Sequence, residues 1–505
     1  MITVVNPTLP YGFAKRHGIV LLEAGEVAVV GLRDGADPLA LVEARRALGR
    51  PLRVERLPQA AFDRELSRAY ADDSLGAVAG DDLDMPTGLD SLIDDMPAAE
   101  DLLDSVDDAP VIRLINGIIA KAVRIGASDI HLEPFESALT VRMRVDGVLR
   151  EAHSLPPRIT PLLVSRIKVM ARLDIAEKRT PQDGRIPLAL GGKSLDVRVS
   201  TLPARNGERV VLRILDKEQA DLRLDQLGMA PDALEAFHAA LREPNGIILV
   251  TGPTGSGKTT SLYAGLSLLN DATRNILTVE DPVEYAMDGV GQTQVNAKVG
   301  MTFAAGLRAI LRQDPDVVMV GEIRDVETAG IAVQASLTGH LVLSTLHTND
   351  AAGAVTRLRD MGIEPFLLAS TLRLVVAQRL VRRLCAECRR PEAADLATAR
   401  LAGLPAGQTV WRPQGCTHCS QTGYVGRAGL YEVIRVDDRV RRLIAAEAGE
   451  DAVAAAAFER GGTLADRARA LVQAGVTSVE EAVRVTRQDA GEDRSDRHVV
   501  AGAAA

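Results

Sequence analysis

Aromatic residues are scarce in this chain, at 3% of 505 residues with a single Trp, so aliphatic side chains must do most of the packing. Cysteine is scarcer: there are four, all within 385–419. That is too few for a disulfide scaffold, and the clustering points to metal. No apolar run approaches the ~18 residues of a membrane span, and no basic segment leads into a long apolar one at the N-terminus. The expectation is a cytosolic chain whose membrane association is peripheral only. Positive charge is not in excess: 59 Lys and Arg face 68 Asp and Glu, a net charge of −9. This argues against nucleic acid as a partner. One stretch lacks positive charge altogether. Residues 69–112 hold no Lys or Arg and carry 13 Asp and Glu. Such a segment repels itself and buries little, so 71–108 reads as an acidic flexible linker. A docking peptide is the alternative, because Leu89, Leu92 and Ile93 are interspersed.

The most informative stretch is 246–260. Ile247–Val250 is a short apolar run of the kind a buried parallel strand shows, and Gly252-x-x-x-x-Gly257-Lys258-Thr259 follows at once. This is the phosphate-binding loop pattern in its required strand–loop–helix setting. In the loop Gly252, Pro253, Thr254, Gly255, Ser256 and Gly257, the glycines let consecutive backbone N–H groups turn toward a nucleotide, aided by the helix that begins near Lys258. Lys258 adds charge for the β and γ oxygens, the Thr259 hydroxyl suits Mg²⁺, and Thr260 completes the motif. A nucleotide, ATP, is the ligand expected.

Around this centre the chain divides. Residues 1–70 read as a small N-terminal domain, with strands at Ile19–Leu22 and Val27–Leu32 and helical spacing over Pro38–Leu48. A partner-binding role and a purely structural one both stay open. Residues 109–220 read as an α+β domain: a helix from Val111 to Val123, strands at 130–133 and 141–145, a helix over Pro161–Leu173, a hairpin at 186–190 and 195–200, and a strand over Arg209–Leu215. It is rich in arginine (Arg185, Arg198, Arg205, Arg209, Arg213), either as a solvated sheet face or as charge for a nucleotide.

From 221 to 383 strands (247–250, 276–280, 317–320, 341–345) alternate with helices (259–269, 303–312, 326–337, 351–360). That predicts α/β with a parallel sheet and ligands at the strands' C-terminal ends. Acidic groups fall there: Glu280-Asp281-Pro282-Val283-Glu284 after one strand, Glu322 after another. His340 and His347 bracket the fourth strand, where a γ-phosphate sensor is expected. Cys385-x-x-Cys388 and Cys416-x-x-Cys419 are two knuckles able to close a tetrahedral Zn²⁺ site, placing a zinc module at 384–430; a redox pair is the rival reading. Residues 431–487 read as a C-terminal helical region and 488–505 as a disordered tail.

These stretches resemble the motifs of secretion ATPases of the type II/type IV pilus superfamily. Gly252–Thr259 looks like their Walker A motif and Ile276–Glu284 like the Asp box. Arg308–Asp316, Val320–Asp325 and Leu337–Asn349 look like the arginine, Walker B and His-box motifs. Leu9-Pro-Tyr-Gly-Phe-Ala-Lys-Arg-His-Gly and the short N-terminal domain resemble the general secretion pathway protein E branch. The resemblance implies a RecA-like P-loop ATPase domain preceded by a PAS-like α+β domain. It implies a homo-hexamer at the cytoplasmic face of the inner membrane, bound to a secretion platform protein through its N-terminal domain, where ATP hydrolysis drives pseudopilus assembly for type II secretion. It implies Glu322 on Mg²⁺ with Thr259, Glu284 as the base with Glu280 as fallback, and Arg198, Arg213, Arg308 and Arg312 near the phosphates. A type IV pilus assembly ATPase, or a nucleotide-dependent switch with little turnover, are the alternatives.

Overall fold

The computed structural model describes residues 9–69, 109–216 and 223–487, apart from residues 10, 26, 60, 63–64, 67–68, 191–192 and 460. The stretch expected to be an acidic linker, 71–108, and the tail 488–505 lie outside the described residues. The chain forms two compact units, Met1–Glu218 and Gln219–Ala505.

The first unit opens with α1 (Tyr11–His17), β1 (Ile19–Ala24), β2 (Ala28–Arg33), α2 (Ala40–Leu48) and β3 (Leu52–Leu57). The strands form one sheet in the order β1-β2-β3, antiparallel then parallel. Apolar residues of β1 and β2 pack against Ala40, Ala44 and Leu48 of α2. Gly49, at φ 64°, ends that helix in the left-handed region that favours glycine. β3 goes unseen in the sequence because, as an edge strand with four exposed residues, it has no apolar face to show.

The same unit continues with α3 (Ala109–Arg124), β4 (Ala127–Pro134), β5 (Leu139–Val145), β6 (Val148–Leu155), α4 (Thr160–Met170), β7 (Gln182–Leu190), β8 (Lys193–Ala204) and β9 (Gly207–Asp216). Its six strands run antiparallel in the order β6-β5-β4-β9-β8-β7. Leu139, Val141 and Met143 alternate inward on β5 and join Leu114, Ile118, Leu163 and Ile167 of the helices in one core. The other face carries Arg142, Arg144, Arg209 and Arg213. Asp129 and Glu133 of β4 answer them: Arg142 lies 2.7 Å from Glu133 and Arg213 2.9 Å from Asp129, while Arg209 also pairs with Glu133.

The second unit has α5 (Pro231–Leu241), β10 (Gly246–Thr251), α6 (Lys258–Leu269), β11 (Ile276–Glu280), β12 (Val290–Gln294), α7 (Phe303–Ile310), β13 (Val317–Val320), α8 (Val326–Leu337), β14 (Leu341–Leu346), α9 (Ala351–Asp360), α10 (Pro365–Thr371) and β15 (Leu372–Leu384). Then come β16 (Arg390–Ala393), α11 (Leu396–Ala402), β17 (Thr409–Arg412), β18 (Tyr424–Arg435), α12 (Asp438–Ala445), α13 (Glu450–Ala457), α14 (Leu464–Gln473) and α15 (Val479–Arg487). One seven-stranded sheet runs in the order β12-β11-β13-β14-β10-β15-β18. Neighbours are parallel except for β18, which lies antiparallel to β15. Both faces are covered, with α5 and α6 contributing to one core and α7 to α10 to the other. Inner strands such as β10 are buried at every residue, which is why they read as continuous apolar runs.

The boundary expected at 430/431 falls inside β18. That strand pairs with β15 from Tyr424–Leu384 to Arg435–Leu374, so the cysteine segment is an insertion between two strands of the main sheet rather than a unit following it. Among the described residues no helix is long and apolar enough to cross a membrane.

Candidate functional site

β10 delivers the chain from the sheet interior into Gly252, and α6 takes it up at Lys258. Gly252, Gly255 and Gly257 have φ of 146°, 79° and 86°, so all three use backbone freedom that only glycine has without strain. Pro253, Thr254 and Gly255 are exposed at the loop's apex, Ser256 is buried, and Thr259 and Thr260 sit in the first turn of α6. Lys258 is buried and its Nζ donates to the carbonyls of Gly252 at 2.7 Å and Pro253 at 3.0 Å. Burial, reinforced by Arg379, brings its pKa down to about 8, against the pull of Glu322. The loop is therefore a cradle with an ammonium group folded onto it, suited to anionic phosphate.

Two parallel strands supply the carboxylates. Glu280, the last residue of β11, is 3% exposed. It accepts from the Tyr263 hydroxyl, from Thr278 Oγ1 at 2.6 Å and from Gln292 Nε2 at 3.1 Å. Burial nonetheless pushes its carboxyl up. Tyr263, on α6, also accepts from the Glu284 N–H at 3.4 Å, so one hydroxyl joins the loop's helix to both acidic positions. Beyond β13, Glu322 pairs with Arg324, and His347 Nε2 stands 3.4 Å from its other oxygen. His347 is held below the usual imidazole range by burial and then by Lys258. Arg324 also lies 3.9 Å from Asp281. The structure thus gathers Lys258, Glu322 and His347 at the C-terminal ends of the strands, with the Asp281–Glu284 segment beside them.

Not every expected residue joins this group. His340 precedes β14, so it stands at the strand's opposite end, where its carbonyl accepts the Gly246 N–H and its Nδ1 lies 2.8 Å from the Ala335 carbonyl. At ~3.3 Å per residue that is about 20 Å from the loop end of the sheet. Arg308 pairs with Glu327 at 2.6 Å, and Arg312 donates to the Arg308 carbonyl at 2.9 Å. Their partners lie on α7 and α8 rather than on the loop. Arg198 and Arg213 face each other across β8 and β9 in the other unit. Sequence reasoning missed Tyr263, Gln292, Gln378 and Arg379. The signal for the last two is a polar pair breaking an apolar strand.

The four cysteines converge. Sγ separations are 3.9 Å for Cys385–Cys416, 3.8 Å for Cys388–Cys419 and 3.6 Å for Cys416–Cys419. Four sulfurs held tetrahedrally at the usual Zn–S length of ~2.3 Å stand ~3.8 Å apart. The set therefore fits zinc, and a single disulfide pair is not what the spacing describes. The N–H groups of Cys416 and Gly423 donate to the Cys419 sulfur at 3.2 and 3.1 Å, favouring the thiolate a metal needs. Between the knuckles, β16 and β17 pair and α11 packs beside them.

Residues 104–484 match the family described as type II/IV secretion system protein, and residues 8–70 match an N-terminal domain of GSPII protein E. The type II secretion system protein E of Pseudomonas aeruginosa is 57% identical over 484 residues, covering 95% of this chain and 96% of that one. The type II secretion system ATPase E of Vibrio cholerae is 53% identical over 490 residues, covering 95% and 97%. Among solved structures, the pilus retraction motor PilT with bound ADP is similar at a TM-score of 0.50 and 27% identity, over 73% of this chain and 95% of that one. The Legionella pneumophila ATPase DotB, at a TM-score of 0.56 and 22% identity over 74% and 96%, shares the fold. With its RecA-like sheet, its phosphate loop and its N-terminal GSPII protein E domain, the chain belongs to the type II/IV secretion system protein family, in the protein E branch of type II secretion.

Proposed function

We propose that this chain hydrolyses ATP as a cytoplasmic homo-hexamer and so drives pseudopilus assembly for type II secretion at the inner membrane. Residues 1–70 would bind the secretion platform protein there. The observation that carries the reading is the gathering of Lys258, Glu322 and His347 beside one phosphate loop. The match of residues 8–70 to the GSPII protein E domain favours type II secretion over pilus assembly. Loop amides and Lys258 hold the phosphates, and Thr259 and Glu322 would hold the accompanying Mg²⁺, which supplies positive charge to the phosphate oxygens. Arg324 and His347 occupy Glu322 here, and Asp281 offers Arg324 a second partner. Glu284 takes the proton of the attacking water. Glu280 suits that task less, because three donors already occupy its oxygens. Arg198 and Arg213 are assigned to charge stabilisation, whereas Arg308 and Arg312, engaged among α7 and α8, are given no role at the phosphates. Cys385, Cys388, Cys416 and Cys419 would hold structural Zn²⁺.

Steady-state phosphate release on the full-length chain tests this. Wild type should turn over; Lys258→Ala should lose activity with its fold intact, and Glu322→Gln should bind ATP and not hydrolyse it. Turnover in Lys258→Ala equal to wild type would remove the nucleotide assignment.

A further inference from the structure

β15 runs parallel to β10, with Val250 opposite Val376 and Thr251 opposite Ala377. It continues where β10 ends, so its next residues, Gln378 and Arg379, flank the phosphate loop as it leaves the sheet. Both are buried, at 2% and 4% exposure. A buried polar group without partners costs about 1–3 kcal/mol, so each needs a use. Gln378 Oε1 accepts from Ser261 Oγ at 2.8 Å, on the loop's own helix. Its carbonyl lies within clashing distance of the point a Cβ would occupy at Gly252, and its Nε2 stands 2.9 Å from the same point at Gly257. Gly252 is thus required by close approach of backbone as well as by φ, and Gly257 by φ. Arg379 goes further. Its Nη1 donates at 3.3 Å to the Gln378 carbonyl that packs on Gly252 and itself lies 3.2 Å from the Cβ point of Gly252, while its Nη2 donates to the carbonyl of Asn349, in the loop that carries His347. Glu432 of β18 accepts the Ala351 N–H at 3.1 Å, at the start of α9.

We propose that Arg379 is a positioning residue for the hydrolysis proposed above: it clamps the phosphate loop to the His347 loop, so that Lys258 and His347 face one nucleotide in a fixed relation. The inference rests on that functional reading, and displacement of a reacting group by ~1 Å can cost ~100-fold in rate.

The test uses the full-length chain. Arg379→Gln should lower kcat at least tenfold with KM within threefold, and Arg379→Lys, which keeps the charge but not the forked head, should fall between it and wild type. A kcat within twofold of wild type in either variant, or a loss confined to KM, overturns the proposal. A second readout does not depend on turnover. With Mg²⁺ and ADP, amide exchange at 252–259 and at 346–349 should slow together in wild type. In Arg379→Gln only 252–259 should respond; joint protection of both loops in that variant overturns the clamp. If Arg379→Gln does not fold, Arg379→Lys is read in the same two ways. Absence of ATP turnover in wild type would instead sink the functional reading and leave the exchange result to judge the clamp.

Discussion

Glu280 and Glu284 lie four positions apart, and the roles proposed for them differ because their surroundings do. Glu280 is sealed in by Tyr263, Thr278 and Gln292. Removing its charge should disturb the fold locally, by about 1–3 kcal/mol, more than it disturbs chemistry. Glu284→Gln should cut kcat by about 100-fold or more and change KM little, as for a lost general base. Paired kcat and thermal-unfolding measurements on the two variants check this; normal turnover in Glu284→Gln with loss in Glu280→Gln would reverse the roles. The contrast could not be read from sequence, since both are acids after one strand and only the fold shows which is enclosed. His340 teaches the same lesson. Its place before β14, rather than after it, puts it at the wrong end of the sheet, and strand direction is what decides that. Gln378 and Arg379 escape notice in the sequence because the loop they support lies more than a hundred residues earlier.

At the scale of elements, legibility follows burial where the buried run is unbroken by polar residues. β10, β11, β13 and β14 sit inside the sheet and read directly as apolar runs, and α6, α8 and α9 start within a residue of their expected positions. β12, like β3, is polar and lies at an edge, so nothing in its composition marks it. Of β18 only Leu430–Val433 reads as strand in the sequence, and its partner β15, though mostly buried, goes unread because Arg373, Gln378, Arg379, Arg382 and Arg383 interrupt its apolar run. The cysteine insertion is fastened on several sides. Cys385 N–H donates to the Gly423 carbonyl and Leu384 N–H to Val476. The Arg389 guanidinium stacks 4.5 Å from the Trp411 ring. Cys385→Ser or Cys416→Ser should release zinc and loosen this module, since structural zinc supplies of order 10 kcal/mol to folding in small zinc domains. Elemental analysis and limited proteolysis across 385–423 measure both effects. Wild-type protein purified without chelator and free of zinc would refute the metal assignment.

For the molecule as a whole, the arginines of the first unit matter. Arg213 is engaged by Asp129, whose carboxyl this partner helps to hold below the usual range even though burial pushes the other way. If Arg198 and Arg213 supply charge to nucleotide in the proposed hexamer, Arg198→Ala or Arg213→Ala should lower kcat at least tenfold while affinity changes little. Specific activity should then fall on dilution as the assembly dissociates. A dilution series followed by light scattering decides it: constant activity down to a demonstrated monomer counts against any need for assembly, and unaltered kcat in both variants leaves the arginine face as a solvated ion-pair ladder.

The route by which the cysteine insertion leaves the sheet has a mechanical meaning. β15 and β18 depart side by side, from Leu384 and Tyr424. A pull on the insertion therefore loads both strands from the same end. Antiparallel strands loaded that way come apart rung by rung instead of sliding as a block. Leu384–Tyr424 would bear the load first and Arg382–Arg427 next, and Arg379–Leu430 stands further along the same zipper. Arg379, beside the phosphate loop, is the fifth rung from the point at which such a pull would enter.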